Sequence, residues 1–150
     1  MKRVLFVVLS FLAAGSLLAA CSSESLFTRA NDAYGTNFPV ANDGKAALYI
    51  VRGPAPAEAP PITIMSGNLP LGGLTGSKYM RLDLPPKLYD LRAYGTQTSN
   101  ELVVTVAPGQ TRFLLAQPTD TGGAELLEMS QEQGRRMVRQ GERIWTPEYD

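Results

Sequence analysis

From Ala47 onward, the chain consists of short apolar or alternating runs separated by turn-forming residues, and this pattern limits its possible folds. Each run has five to seven residues, which is the usual length of a β-strand and too short for a typical buried helix. Proline and glycine clusters separate most of the runs. We predict strands at 47–52, 62–66, 79–84, 88–94, 101–106, 111–117 and 124–129. The sequence therefore predicts a mainly β fold, a small antiparallel β-sandwich.

One short helix is predicted near the C-terminus. Ser130 followed by Gln133 forms a capping-box pattern, and Glu132 lies where the helix dipole favours an acidic side chain. Gly141 is predicted to cap the C-terminal end, although Gly134 inside the segment lowers its helix propensity. The predicted sandwich is thus followed by a helix of about three turns.

The N-terminus has the layout of a secretory signal. Lys2 and Arg3 precede an almost continuously apolar stretch, 4–14, and small residues follow it. The alternative is a transmembrane helix, but residues 4–20 number only 17 and contain Gly15. A span needs about 20 apolar residues, so the pattern favours the signal peptide.

The end of this segment, Leu18-Ala19-Ala20-Cys21, resembles the lipobox of bacterial lipoproteins. The resemblance implies cleavage before Cys21 and diacylglycerol attached to its sulfur. The alternative is a chance cysteine after an ordinary signal peptide. Ser22 resembles the residue of lipoproteins sorted to the outer membrane, so we expect anchoring in the cell envelope. In a Gram-negative source, this would be the outer membrane, facing the periplasm.

The mature chain is expected to have a tether, one domain and a tail. The predicted divisions are a signal peptide at 1–20, the lipidated cysteine and a flexible tether at 21–46, the sandwich with its helix at 47–143, and a tail at 144–150. The tether is rich in Ser, Asn, Asp and Gly, as linkers are. Phe27, Tyr34 and Phe38 are unusual for a linker, and they could dock on the domain or on a partner.

Charge and composition exclude several classes of function. The chain has 14 basic and 14 acidic residues, and removal of 1–20 leaves a net charge of −2, which argues against nucleic-acid binding. The chain contains no histidine, which excludes a Ser-His-Asp triad and the common zinc sites. Its single cysteine excludes an internal disulfide. We expect no cofactor, no metal site and no catalytic residue.

The stretch from Gly72 to Lys78 superficially resembles a phosphate-binding loop. Ser77 separates Gly76 from Lys78, so the G-x-x-x-x-G-K-[ST] pattern is not met, and no helix pattern follows. A β-turn is the interpretation that we favour for these glycines.

The third and fourth predicted strands suggest a hairpin. Pairing Leu82 with Leu91 places the apolar side chains of both strands on one face. The same register places Asp83 diagonally opposite Arg92, and Asp90 opposite Arg81, on the outer face.

Three strand carboxylates are the candidates for acid–base chemistry. Asp83, Asp90 and Glu101 could pair as in glycosidases. The outward register beside arginines would instead keep them ionised in solvated ion pairs. We therefore predict no catalytic pair.

The helix region also contains a basic cluster. Arg135, Arg136 and Arg139, with Arg143 beyond them, could contact anionic lipid or a partner. The favoured interpretation is a solvated helix face balanced by glutamates, which are Glu125, Glu128, Glu132 and Glu142.

The stretch from Ala47 to about Arg139 resembles a family of small bacterial envelope lipoproteins with a domain of unknown function, similar to PEGA-type and carboxypeptidase-regulatory-like β-sandwich modules. The resemblance lies in the segments 47–52, 62–74, 84–93 and 104–115. The Pro108-Gly109 turn before an aromatic strand matches best, whereas Pro86-Lys87 departs from the usual Pro-Gly. The resemblance implies a sandwich and transfers no catalytic residue.

These observations lead to three hypotheses of function. The first is a membrane-anchored, non-catalytic module that binds a protein partner or a cell-wall component. The second is a hydrolase acting on an envelope polymer through paired carboxylates. The third is an immunity or inhibitor lipoprotein, which the sequence does not distinguish from the first.

Overall fold

A computed structural model describes residues 35–96, 100–144 and 146. Within these residues, nine strands are followed or separated by turns, and a helix lies between the last two strands. The strands are β1 (Ala46–Arg52), β2 (Ile62–Ser66), β3 (Leu69–Leu74), β4 (Lys78–Leu84), β5 (Leu88–Tyr94), β6 (Glu101–Thr105), β7 (Thr111–Pro118), β8 (Ala124–Met129) and β9 (Glu142–Arg143). The helix α1 spans Gln131–Gln140. Cys21, the predicted signal peptide, residues 21–34 of the predicted tether, Trp145 and residues 147–150 lie outside the described residues.

The strands form two sheets, and the predicted mainly β sandwich with a short C-terminal helix is confirmed. Sheet A has the order β8-β7-β1-β4-β9, and sheet B has the order β3-β2-β5-β6. Most neighbours are antiparallel, but β1 pairs with β7, and β4 with β9, in parallel. All seven predicted strands are present, and the sequence patterns missed β3 and β9 as strands.

The main core lies between the two sheets. Leu48 and Ile50 of β1 and Leu82 of β4 face Ile64 and Leu91 of sheet B, and all are buried. Alternation with a period of two supplies these side chains from each strand. Every residue of β1 is buried, because both faces of sheet A are covered at this strand.

A second cluster covers the other face of sheet A, where α1 and residues 35–41 pack. Tyr49, Tyr79 and Phe113 point from the sheet toward Val138 of the helix and Phe38 of the preceding segment. Residues 35–46, which the predicted tether includes, are thus packed on the domain in part and continue into β1. The molecule therefore has three layers, which are sheet B, sheet A, and α1 with the segment before β1.

The helix α1 lies where its capping residues predicted it. The Ser130 hydroxyl accepts a hydrogen bond from the Gln133 amide at 3.2 Å, and Gly141 caps the other end. Gly134 is not a weakness of this helix but a requirement of its packing. A Cβ atom at this position would overlap the Phe113 ring, so only glycine lets α1 approach sheet A this closely.

The predicted hairpin between the third and fourth sequence runs is wrong. These runs are β4 and β5, and they belong to different sheets, so Leu82 and Leu91 enter the core from opposite sides. The chain crosses between the sheets at Pro85-Pro86, where proline provides no amide proton for pairing. Alternation identified the core face of each strand correctly, but not the strand beside it.

The interpretation of the glycine-rich stretch as a single β-turn also needs correction. Gly72 and Gly73 lie within β3, which pairs with β2 through an irregularity between Ile64 and Met65. Gly72 has a φ of 149°, which a side chain rarely allows. The turn follows later, where Ser77 adopts a left-handed φ of 55°.

Candidate binding surface

The outer face of sheet B exposes apolar side chains, and we call it the open face. Leu88 of β5 is 60% exposed and Val103 of β6 is 51% exposed, on neighbouring antiparallel strands. Val103 lies opposite Asp90 in the neighbouring strand, and Asp90 is two residues from Leu88 on the same face of β5. The two apolar side chains are therefore diagonal neighbours. Both occupy outward positions where an alternating strand would normally carry a polar residue.

An ion network lies beside these apolar side chains on the open face. Arg92 contacts the Asp90 carboxylate at 2.9 Å and the Glu101 carboxylate at 3.2 Å. A hydrogen bond with Tyr94, together with the two carboxylates, raises the pKa of the Arg92 guanidinium above its ordinary range. The open face therefore combines aliphatic contact area with fixed charges of both signs.

A small apolar pocket opens at the adjacent end of the sandwich. Its volume is about 120 Å³, and its lining residues come from β2, β3, the end of β4, the β4–β5 connection and β5. The Tyr89 hydroxyl donates a hydrogen bond to the Pro85 carbonyl at 2.8 Å, and Lys87 lies 5.1 Å from the ring. Burial raises the pKa of this tyrosine. A pocket of this size suits one apolar side chain, since a cavity of about 150 Å³ holds a benzene molecule.

Of the three predicted acid–base candidates, only Asp90 and Glu101 are brought together, and both contact Arg92. Asp83 lies on the helix side of sheet A, where it pairs with Arg81 at 2.8 Å. Asp90 and Glu101 lie on the opposite side of the molecule, on the open face. Each carboxylate contacts an arginine, as predicted, but the partners are residues of the same strand or a direct cross-strand neighbour. The predicted diagonal pairs across one hairpin do not form.

The three arginines predicted as a possible surface contact lie on α1. The guanidinium groups of Arg135 and Arg139 lie 4.9 Å and 5.4 Å from the centre of the Phe38 ring, in cation–π geometry. Arg136 points to solvent. Among the described residues, none of the three has a carboxylate within ion-pair distance.

The glutamates that were predicted to balance these arginines therefore do not form ion pairs with them among the described residues. Glu128 contacts Arg112, and Glu142 contacts Lys78. Glu125 accepts a hydrogen bond from Gln117. Lys78 and Gln117 lie directly opposite their glutamates in paired strands, and Arg112 lies diagonally across from Glu128, so strand register decides the contacts.

The sequence analysis missed two buried arginines. Arg52 ends β1 and donates to the carbonyls of Pro60 and Leu74, each at 2.8 Å. Burial lowers the pKa of this guanidinium, which joins the proline-rich connection to β3. Arg81 is buried on the helix side of sheet A, next to Tyr49, although the alternation of β4 predicts an outward position in solvent. No signal within β4 itself could indicate that another layer covers that face.

Two further observations limit the chemistry of the described residues. Within 35–96, 100–144 and 146, no group of three or more Cys, Asp or Glu could hold a metal ion. No helix in that part of the chain is both long enough and apolar enough to cross a membrane. Comparison with family models, curated proteins and solved structures finds no significant match to the chain.

Proposed function

We propose that the chain is a lipid-anchored envelope protein whose sandwich binds a protein partner through the open face and has no catalytic role. The pair of exposed aliphatic side chains, Leu88 and Val103, carries this proposal. They stand beside the ion network of Arg92, as an apolar centre with a charged rim does in protein interfaces. The adjacent pocket would accept one apolar side chain of the partner.

Three features favour this function over a hydrolase. Asp83 lies on the other side of the sandwich from Asp90 and Glu101, so it cannot act with either of them on one bond, and the Arg92 guanidinium bridges the other two. Each is in ion-pair contact with an arginine, and none is hydrogen-bonded to a second carboxylate within the described residues. The pocket has no carboxylate in its lining. A binding role needs none of these groups to transfer a proton.

The anchor part of the proposal depends on the lipobox resemblance at Cys21. Two or three acyl chains hold a protein on a bilayer almost permanently, because each buried methylene contributes about 0.8 kcal/mol. A protein held there meets membrane-associated partners at a high effective concentration. The PEGA-like family assignment and the outer-membrane location belong to the same proposal.

Site-specific photo-crosslinking in cells of the source bacterium tests the binding surface. A photoreactive amino acid replaces Val103 in one variant and Leu127 in another, since both are exposed apolar residues on edge strands. We expect a discrete protein adduct from position 103 and none from position 127. Equal adducts from positions 103 and 127 would exclude the open face. The absence of an adduct both from position 103 and from a third variant with the photoreactive amino acid at position 88 would also exclude it.

A charge substitution provides a second test of the same surface. Val103→Asp places a carboxylate beside Asp90 and Glu101 and should abolish the adduct formed from position 88. Leu127→Asp is the matched control and should leave the adduct intact. If the adduct formed from position 88 contains peptidoglycan instead of protein, the partner is the cell wall.

A further inference from the structure

We propose that the outer surface of α1 docks on the anionic surface of the bilayer that holds the lipid anchor. We call this the basic surface, formed by Arg135, Arg136 and Arg139. The proposal rests on the anchor at Cys21 and goes beyond it by fixing which side of the domain faces the membrane. Its ligand is the phosphate of an anionic phospholipid.

The charge of the basic surface is not neutralised within the described part of the protein. Arg135, Arg136 and Arg139 have no ion-pair partner there, and Glu132 is the only acidic residue within α1. Phe38 holds two of the guanidinium groups within 5.4 Å of its ring. Arginine offers paired donors that match phosphate oxygens, so this arrangement suits phospholipid head groups.

An exposed apolar side chain lies close in sequence to Phe38, whose ring contacts two of these guanidinium groups. Val40 is 65% exposed, the highest value among the large apolar side chains described, and it follows Phe38 by two residues. Apolar side chains next to basic residues are typical of surfaces that lie in a membrane interface. The valine would enter the head-group region while the arginines contact phosphates.

The described end of the connection to the anchor lies on the helix side of sheet A. Gly35 is the first residue described, and its carbonyl accepts a hydrogen bond from the Tyr49 hydroxyl at 3.1 Å, on the helix side of sheet A. Gly35 follows Cys21 by 14 residues. Even a fully extended chain of that length spans at most about 50 Å. The chain from the anchor thus joins the domain on the layer that contains α1.

Docking through α1 would leave the binding surface accessible. Sheet A separates α1 from sheet B, so the open face points away from a bilayer in contact with the basic surface. The proposed orientation therefore presents Leu88 and Val103 to a partner beyond the membrane.

The test uses the full lipidated protein, reconstituted into vesicles. Cys21 is the only cysteine and would be acylated, so a cysteine at Gln140 of α1 can be labelled alone with a fluorophore. The matched label is at Thr105, which is exposed on the open face. The vesicles contain phosphatidylcholine with or without phosphatidylglycerol, and a head-group spin label acts as the quencher.

We expect loss of fluorescence from position 140 on the phosphatidylglycerol vesicles only, with little change at position 105. Replacing the three arginines with glutamine should restore the fluorescence, and high salt should do the same. Equal quenching at both positions, or quenching that survives the triple substitution, would overturn the proposed orientation. A label at position 140 that stays unquenched on anionic vesicles would also overturn it. The basic surface would then either bind a protein or remain in contact with solvent.

Different results would contradict the proposed anchor and the proposed orientation. Retention of the protein on phosphatidylcholine vesicles reports the anchor alone, because these vesicles carry no net charge. Protein that is released from them, yet shows quenching at position 140 on anionic vesicles, would contradict the anchor and support the basic surface. Protein that is retained without such quenching would contradict only the basic surface.

Discussion

Arg81 donates a hydrogen bond to the Tyr49 hydroxyl at 2.9 Å, in the buried layer between sheet A and α1. The hydroxyl in turn donates to the Gly35 carbonyl at 3.1 Å, so it joins β1, β4 and the segment that precedes β1. The Arg81 guanidinium also lies 5.4 Å from the centre of the Tyr49 ring. This chain of contacts fixes the segment that would connect the domain to the membrane.

Tyr49→Phe should destabilise the protein by about 1–3 kcal/mol, because it removes one partner from two buried polar groups. The loss should appear in the free energy of unfolding measured with urea on protein released into detergent. Tyr94→Phe is the control, since Tyr94 is only half-buried on the open face and should cost less than about 1 kcal/mol. Equal losses for the two variants would show that the Tyr49 hydroxyl does not hold this layer together.

The same hydroxyl predicts a loss of stability at alkaline pH. Burial raises the pKa of Tyr49 above its ordinary value of 10.0, although Arg81 opposes the shift. The folded state therefore favours the neutral phenol, and its contribution is complete below pH 10 and is lost as pH rises toward the folded pKa. We expect the free energy of unfolding to fall less steeply above pH 10 in Tyr49→Phe than in the parent. Parallel curves would contradict this assignment.

Local patterns predicted the elements of this fold but not how they are arranged. Leu82 and Leu91 were correctly assigned to a core, because alternation reveals which face of a strand is buried. It does not reveal whether two such strands lie side by side or face each other across a sandwich. β3 escaped prediction because Pro70, Gly72 and Gly73 give it the composition of a turn.

The candidate surfaces were predictable to different degrees. The apolar residues Leu88 and Val103 stand at outward positions of alternating strands, so the sequence contains the signal for the open face. The burial of Arg81 depends on a third layer formed by residues far away in the chain. The aromatic character of Phe38 raised its docking on the domain as one alternative, which its burial in the second cluster confirms, but its contact with Arg135 is tertiary and has no signal in the sequence.

Gly134→Ala should destabilise the protein, although alanine favours a helix by about 1 kcal/mol over glycine. The added methyl group would overlap atoms near the base of the Phe113 side chain, which cannot move without displacing β7. Overpacking of this kind costs about 1–3 kcal/mol, so the clash should outweigh the gain in propensity. Thermal unfolding provides the measurement, and Gln140→Ala on the exposed side of α1 is the control. Increased stability in Gly134→Ala would show that α1 does not pack as described.

Lipidation at Cys21 can be tested directly in a Gram-negative host. Labelled palmitate should be incorporated into the parent protein, and Cys21→Ala should abolish the labelling because it removes the only thiol of the chain. Ser22→Ala, next to the modified residue, is the control and should still be labelled. Continued labelling of Cys21→Ala would refute the lipobox interpretation.

Two aspartates allow a test of how the burial of an arginine partner changes the contribution of an ion pair to stability. Asp83 and Asp90 each pair with an arginine two residues away, and both side chains are 32% exposed. Their partners differ, since the Arg81 side chain is 1% exposed and that of Arg92 is 35% exposed. A buried arginine that loses its carboxylate cannot recover the lost interaction from water, whereas an exposed one can. We therefore expect Asp83→Asn to cost about 2–3 kcal/mol of unfolding free energy, and Asp90→Asn less than about 1 kcal/mol. Urea unfolding of both variants at neutral pH measures the difference. A larger loss for Asp90→Asn would contradict this expectation, because the ion pair on the open face would then contribute more to stability than the pair on the helix side of sheet A.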